Sequence, residues 1–192
     1  MLGSSEANLR KALHTAETVS PCILWIDELE KAFGGGGGAG LDGGVAKRVF
    51  GTFLNWLEER TAAVFVAATA NSITRLPPEF TRKGRFDEIF FVGLPEVEER
   101  KAIFSVHLQR RGRKDDEFDL SLLAEKSAGF SGAEIEEAVI AALYQAFEEG
   151  ERDLADADIL AAMAATVPMS RSRGPEMEAL HRWAEVNARP AS

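Results

Sequence analysis

Two carboxylates side by side at the end of an apolar run are the first residues here that could do chemistry. Asp27 and Glu28 follow CILWI directly. Successive side chains along a strand leave on opposite sides, so the two acids point in different directions and can divide two jobs. One carboxylate can help hold Mg2+, usually through water, while the other orients or deprotonates an attacking water. A plainer reading stands beside it: acidic residues often simply open a helix, where the backbone dipole favours them. Asn71 ends a second apolar run, AVFVAATA, and Arg82 and Arg85 lie in the basic segment TRKGRFD. For that segment, as for Arg110 to Lys114, a solvated charged face is the ordinary explanation. His107 is one of three histidines, and a lone histidine on a helix face is more often packed or at the surface than a ligand. His14, His181 and the three tryptophans have no motif around them.

The flanking elements decide whether these residues can meet. Leu9, Ala12, Leu13 and Ala16 keep helical spacing until Pro21 ends the pattern. CILWI, apolar without interruption, reads as a parallel strand covered on both faces. From Gly34 to Gly44 the chain is almost entirely glycine and reads as a mobile surface loop. A helix from Val45 to about Arg60 then turns Val49, Phe50, Phe53, Trp56 and Leu57 to one side, a core face. AVFVAATA is a second buried strand, Pro77 and Pro78 start a short helical turn, and Ile89 to Val92 is a third strand. Pro95 opens a helix to about Arg110, with Ile103, Phe104, Val106 and His107 near one face. Beyond Lys114 only helical spacing remains, over about Leu120 to Ser127, Gly132 to Glu149, Leu154 to Ala165 and Pro175 to Asn187. Ser131 and Asp153 are suited to cap the second and third of these. Strands alternating with helices predict a parallel α/β sheet, where ligands sit beyond the carboxyl ends of the strands. Asp27, Glu28 and Asn71 all fall there.

Bulk properties narrow the function classes. Over 192 residues, 45% hydrophobic and 28% charged residues describe a folded chain long enough for one domain plus a small appendage. The longest apolar runs fall well short of the roughly 20 residues that span a bilayer, and the amino terminus shows no secretory signal. One cysteine excludes an internal disulfide. A net charge of −9 argues against a general electrostatic grip on nucleic acid. No H-E-x-x-H metalloprotease pattern occurs.

Taken in order, ILWIDE, FVAATAN, the segment LPPEFTRKGRFDEIFFVGLP and GFSGAEIEEAV resemble the second half of an AAA motor domain followed by its helical lid. The resemblance covers essentially the whole chain. It implies a partial P-loop NTPase-type parallel sheet with flanking helices over residues 1–113, then an α-helical lid over 114–192. It implies ATP and Mg2+ as ligands, with Asp27 and Glu28 as the Walker B pair, Asp27 toward the metal and Glu28 toward the lytic water. Asn71 takes the place of the sensor-1 residue that contacts the γ-phosphate or that water. Arg82 and Arg85 take the place of arginine fingers, donated across a subunit boundary; a guanidinium, always charged and forked, suits a transferring phosphoryl group. His107, and Gly132 with Ala133, stand where family members place residues against the ribose or base, although Gly132 also explains itself as a helix start. The expected protein is an ATPase working as a ring of identical subunits, in the family's hexameric form, that remodels or unfolds a protein partner in the cytoplasm or a plastid stroma. A clamp- or helicase-loader role is disfavoured by the acidic balance and the lid sequence. VFGTFLNWLEERTAAVFVAATAN and the TVPMS near the end look most like an AAA branch of cyanobacteria and some plastid genomes.

One departure is plain. The string G-x-x-x-x-G-K-[ST], whose amides and lysine cradle phosphates, does not occur. The glycine run follows the Asp-Glu pair instead of preceding it and reads as a pore-facing loop. MLGSSEANLRKAL resembles the segment just after the family's second strand, with a bulky residue before Gly3 in a pore loop. The chain is thus expected to begin inside the domain, to lack two strands including the central one, and to leave sheet edges exposed. It also leaves open a non-catalytic partner that offers Arg82 and Arg85 to a complete neighbour.

Overall fold

The computed structural model describes residues 4–33, 41–82 and 84–191, which form two compact units, residues 1–89 and 90–192. The pore-loop readings of the glycine run at 34–40 and of the residue before Gly3 lie outside the described residues.

In the first unit, helix α1 (Ser4–Thr18) leads into strand β1 (Cys22–Ile26), a one-turn helix α2 (Leu29–Phe33), the long helix α3 (Leu41–Glu59) and strand β2 (Val64–Ala68). Helix α3 begins at Leu41, so the last residues of the glycine-rich stretch are helical rather than loop. The two strands are parallel, paired Cys22 to Val64 through Ile26 to Ala68. Short 3-10 turns follow at Ile73–Arg75 and Pro78–Thr81, the second opened by the proline pair. Leu13, Leu29, Phe33, Phe53, Leu54, Leu57, Leu76 and Phe80 close a core beneath the strands, with Phe33 stacked on Phe53 at 5.2 Å between centroids. Leu24, Ile26, Val66 and Ala68 pack against that core. Their alternates do not: Ile23, Trp25 and Phe65 are 71%, 63% and 69% exposed. CILWI is therefore covered on one face among the described residues, not two, because period-two alternation sends half its side chains away from the only layer present. Each strand also keeps one unpaired edge among the described residues.

In the second unit, strand β3 (Phe90–Phe91) pairs in parallel with strand β4 (Arg189–Pro190) at the far end of the chain. Between them run α4 (Val97–Gln109), α5 (Leu120–Lys126), α6 (Gly132–Glu148), α7 (Asp156–Ala165), the single turn α8 (Met169–Ser172) and α9 (Gly174–Asn187). The sequence-drawn boundary after residue 113 leaves α4 with the α/β part; in the structure α4 packs on α5 and α6. Phe104 and Leu108 of α4, Leu123 of α5, Ile135 and Val139 of α6 and Ile159 of α7 are all fully buried in one core. Burial of each such side chain is worth about 1.5–3 kcal/mol. Val106, expected on the packed face of its helix, is instead exposed. Ser131 caps α6 in a reciprocal capping box with Glu134. Asp153 does not cap α7, which starts after Ala155; Asp153 instead pairs with Arg113 at 3.4 Å. The fold class is α/β, a short parallel sheet with flanking helices followed by a helical unit.

Candidate active site

The register of β1 and β2 brings the predicted residues of both strand ends together. Past the last paired residues, the Thr69 amide donates to the Ile26 carbonyl at 2.9 Å, and the Leu29 amide donates to the Thr69 carbonyl at 2.8 Å. The ladder thus extends beyond the strands and holds the Asp27–Glu28 turn against the segment that leads to Asn71. Thr69 is the hinge of this arrangement, although nothing in the sequence singled it out. Its hydroxyl donates to Asp27 Oδ1 and accepts from the Glu28 amide at 3.1 Å. The Glu28 amide also reaches Asp27 Oδ1 at 3.1 Å. Asp27 is therefore oriented at its backbone and at its carboxylate, while Asn71 is fixed through its amide, which donates to Glu30 Oε1 at 3.2 Å.

Glu28 occupies the left-handed region, with φ 52°. That conformation costs a non-glycine residue on the order of 1–2 kcal/mol, so local preference does not explain it; the hydrogen bonds on either side do. The turn breaks the strand abruptly and parts the two carboxylates. Glu28 Oε1 meets Lys31 Nζ at 2.5 Å on an exposed surface, and this hydrogen bond holds the Lys31 ammonium above its ordinary pKa. Exposed pairs of this kind are worth little, so the carboxylate is readily released to another partner. Among the described residues no group of three or more ligating side chains gathers here or elsewhere. A single oriented aspartate suits a hard cation that keeps most of its waters.

Arg82 and Arg85 lie elsewhere in the same unit. Arg82 is exposed and caps the Pro78–Thr81 turn. Arg85 follows Gly84, whose φ of +94° is open to glycine at no steric cost. Arg85 Nε pairs with Glu58 Oε1 at 2.6 Å, and its Nη1 donates to the Glu79 carbonyl at 3.0 Å. It lines a cavity with Pro21, Cys22, Ala63 and Val64, at the amino ends of the two strands, opposite the end that carries Asp27.

His107, Gly132 and Ala133 belong to the second unit. His107 is largely buried between α4 and α6, its Nδ1 3.3 Å from Glu136 Oε1, which also accepts from Arg111 Nη2 at 2.9 Å. The Arg111 hydrogen bond, reinforced by the charges of Arg111 and Arg110 and opposed by burial, holds the Glu136 carboxyl below its usual range. This knot ties His107 to α6, and it takes Arg111 out of the solvated basic face expected of residues 110–114. Gly132 is the first residue of α6; a Cβ there would stand 3.7 Å from Ile103 Cδ1, an ordinary contact. Ala133 beside it is exposed. The residues that sequence reasoning missed are Thr69, Glu30 and Glu136. Their only signal is adjacency, to Asn71, to Glu28 and to the capped start of α6.

Comparison with known proteins agrees with this architecture. Residues 1–94 match the model of the ATPase family associated with various cellular activities (AAA), and residues 117–161 match that of the AAA+ lid domain. The chain is similar to the uncharacterized AAA domain-containing protein ycf46 of Guillardia theta, 49% identical over 187 residues and 97% of the chain. The ycf46 proteins of Trieres chinensis and Pyropia yezoensis are each 48% identical, over 96% and 100% of the chain. It spans 37%, 37% and 39% of the length of these three relatives. Among solved structures, the FIGL-1 AAA domain in complex with ADP superposes with a TM-score of 0.76 over 97% of this chain and 64% of its own, at 20% identity.

Proposed function

This chain belongs to the AAA family, and from that premise we propose that it supplies the hydrolytic half of an ATP site shared between ring subunits. The observation that carries the reading is the placement of Asp27, Glu28 and Asn71 at the carboxyl ends of adjacent parallel strands, the first two tied by Thr69 and the third by Glu30. ATP enters as substrate with Mg2+, which Asp27 would hold through water. Glu28 orients and deprotonates the lytic water, the Asn71 side-chain amide steadies that water or the γ-phosphate, and Thr69 keeps Asp27 and Glu28 in register. His107, Gly132 and Ala133 would border the base or ribose. The string that grips the β- and γ-phosphates is not among these 192 residues, so turnover needs a phosphate loop from outside them.

Arg85 supports the shared-site reading by its place. It lies at the opposite end of a strand of five residues from Asp27, roughly 3.3 Å per residue away, and pairs with Glu58 rather than with the Asp27–Glu28 pair of its own protomer. Arg82 and Arg85 would serve the nucleotide of a neighbour in a ring of identical subunits, a hexamer in the family's usual form. The cycle would remodel a protein partner, without direct nucleic-acid contact, in the cytoplasm or a plastid stroma. No described helix is long and apolar enough to cross a membrane.

The test is ATP turnover by a chain that carries these residues together with a phosphate loop. Glu28→Gln is expected to lower kcat by about 10²- to 10⁴-fold, the worth of a general base, while ATP stays bound. Normal turnover in that variant rejects the mechanism. The missing phosphate-loop string favours a second reading, a non-catalytic partner that offers only its arginines. Mixing the 192-residue chain with a complete homologue should then change that homologue's ATPase rate, and Arg82→Ala with Arg85→Ala should abolish the change. An unaltered rate at stoichiometric excess excludes it.

A further inference from the structure

Glu30 stands between the two strand ends and has no part in the reading above. It is only 7% exposed. Its Oε1 accepts from the Asn71 amide across 41 positions of sequence, and its Oε2 is buried with no hydrogen-bond partner among the described residues. A buried carboxylate with half its accepting capacity unused is costly, and each such group in a native protein needs an explanation. The first turn of α2 favours an acidic residue, yet an exposed side chain would satisfy that preference. Helix polarity accounts for the charge and leaves the burial against the β2 end unexplained.

The geometry supplies the reason. Leu29 is tied to Thr69 through its amide, so the residues on either side of it face the second strand's exit from fixed points: Glu28 before it, Glu30 after. We propose that Glu30 is a positioning residue for Asn71, an inference that rests on the ATPase reading. Its Oε1 fixes the Asn71 backbone just past the end of β2, and with it the point from which the Asn71 side chain departs. It acts on the orientation of the reacting groups and not on the grip on nucleotide.

The experiment compares Glu30→Ala, Glu30→Gln and Glu28→Gln in a chain that includes a phosphate loop. Glutamine keeps an oxygen able to accept from the Asn71 amide; alanine does not. Glu30→Ala is expected to lower kcat by about 10- to 100-fold, the range of a hydrogen bond to a charged group, with KM for ATP within about threefold. Glu30→Gln should restore kcat to within about threefold of the parent. Hydrogen exchange at the Asn71 amide should quicken about tenfold or more in Glu30→Ala and stay protected in Glu30→Gln, a readout that needs no activity. Glu30→Ala with unchanged kcat, Glu30→Gln as slow as Glu30→Ala, or unchanged exchange at Asn71 would each overturn the inference. Glu28→Gln keeps the two readings apart. If it leaves turnover intact, the ATPase mechanism fails; if it abolishes turnover while Glu30→Ala is silent, only the role of Glu30 does.

Discussion

At the scale of single residues, one hydroxyl organises the candidate site. Thr69 accepts from the Glu28 amide and donates to Asp27, so from just past the neighbouring strand it sets the Asp27 carboxylate and the Glu28 backbone. Thr69→Val removes both contacts at nearly constant volume and is expected to cost about 1 kcal/mol, read as a lower urea midpoint with an unchanged slope. Thr69→Ser should keep most of that stability. In a chain with a phosphate loop, valine should also lower turnover more than serine does. Asp27, Glu28 and Asn71 were legible in the sequence because each ends an apolar run. Thr69 was not, because a threonine is unremarkable in a strand; only the pairing of Ile26 with Ala68 places its side chain beside Asp27.

At the scale of elements, helix α6 shows how local signals and packing divide the work. Its start was legible, since Ser131 and Glu134 have the spacing of a capping box and the structure closes it. The glycines before and after that cap differ in a way the sequence does not reveal. Gly129 has φ +83°, and a Cβ there would come 2.5 Å from Ser170 Oγ. Gly129→Ala should therefore destabilise the second unit by about 1–3 kcal/mol, through strain at a positive φ and displacement of the turn that carries Ser170. Gly132→Ala meets only an ordinary contact and should leave the thermal midpoint nearly unchanged. Any loss of nucleotide affinity in that variant would then report on the ligand rather than on folding. The capping signal at Asp153 misled: α7 opens at Asp156, three residues later, after Ala155, and the Asp153 carboxylate lies 3.4 Å from Arg113.

At the scale of the molecule, acid bears on the helical unit through its lowered carboxylates, of which Asp158 and Glu134 are the less exposed. Hydrogen bonds from Arg152, aided by the Ala155 amide, hold Asp158 below its ordinary value although burial opposes this. For Glu134 burial pushes upward most strongly, yet the Ser131 amide and hydroxyl and the Met169 amide together leave it lowered. A carboxylate whose pKa is depressed on folding lends stability that is complete above the unfolded value, roughly 4, and is lost as pH falls through the folded one. The second unit should thus lose stability below about pH 4. Asp158→Asn should be less stable at neutral pH and show a shallower acid dependence of the thermal midpoint, measured by circular dichroism. The first unit presents a different feature at this scale. Among the described residues its sheet offers Ile23, Trp25 and Phe65 to solvent beside unpaired strand edges, a face and edges that further structure could cover.

The sequence by itself determined the longer helices, both strands of the first sheet, the order of the motifs and the acidic pair, since apolar period, caps and turn residues act over a few neighbours. It overstated the cover on CILWI, because an unbroken apolar run records what a strand tolerates and not which layers are present. Tertiary structure alone decided which residues meet. Strand register put Thr69 on Asp27, a one-turn helix buried Glu30 against the Asn71 amide, and helix packing locked His107 to Glu136. Contacts between residues some 40 positions apart depend on how elements align, and no local pattern encodes that alignment.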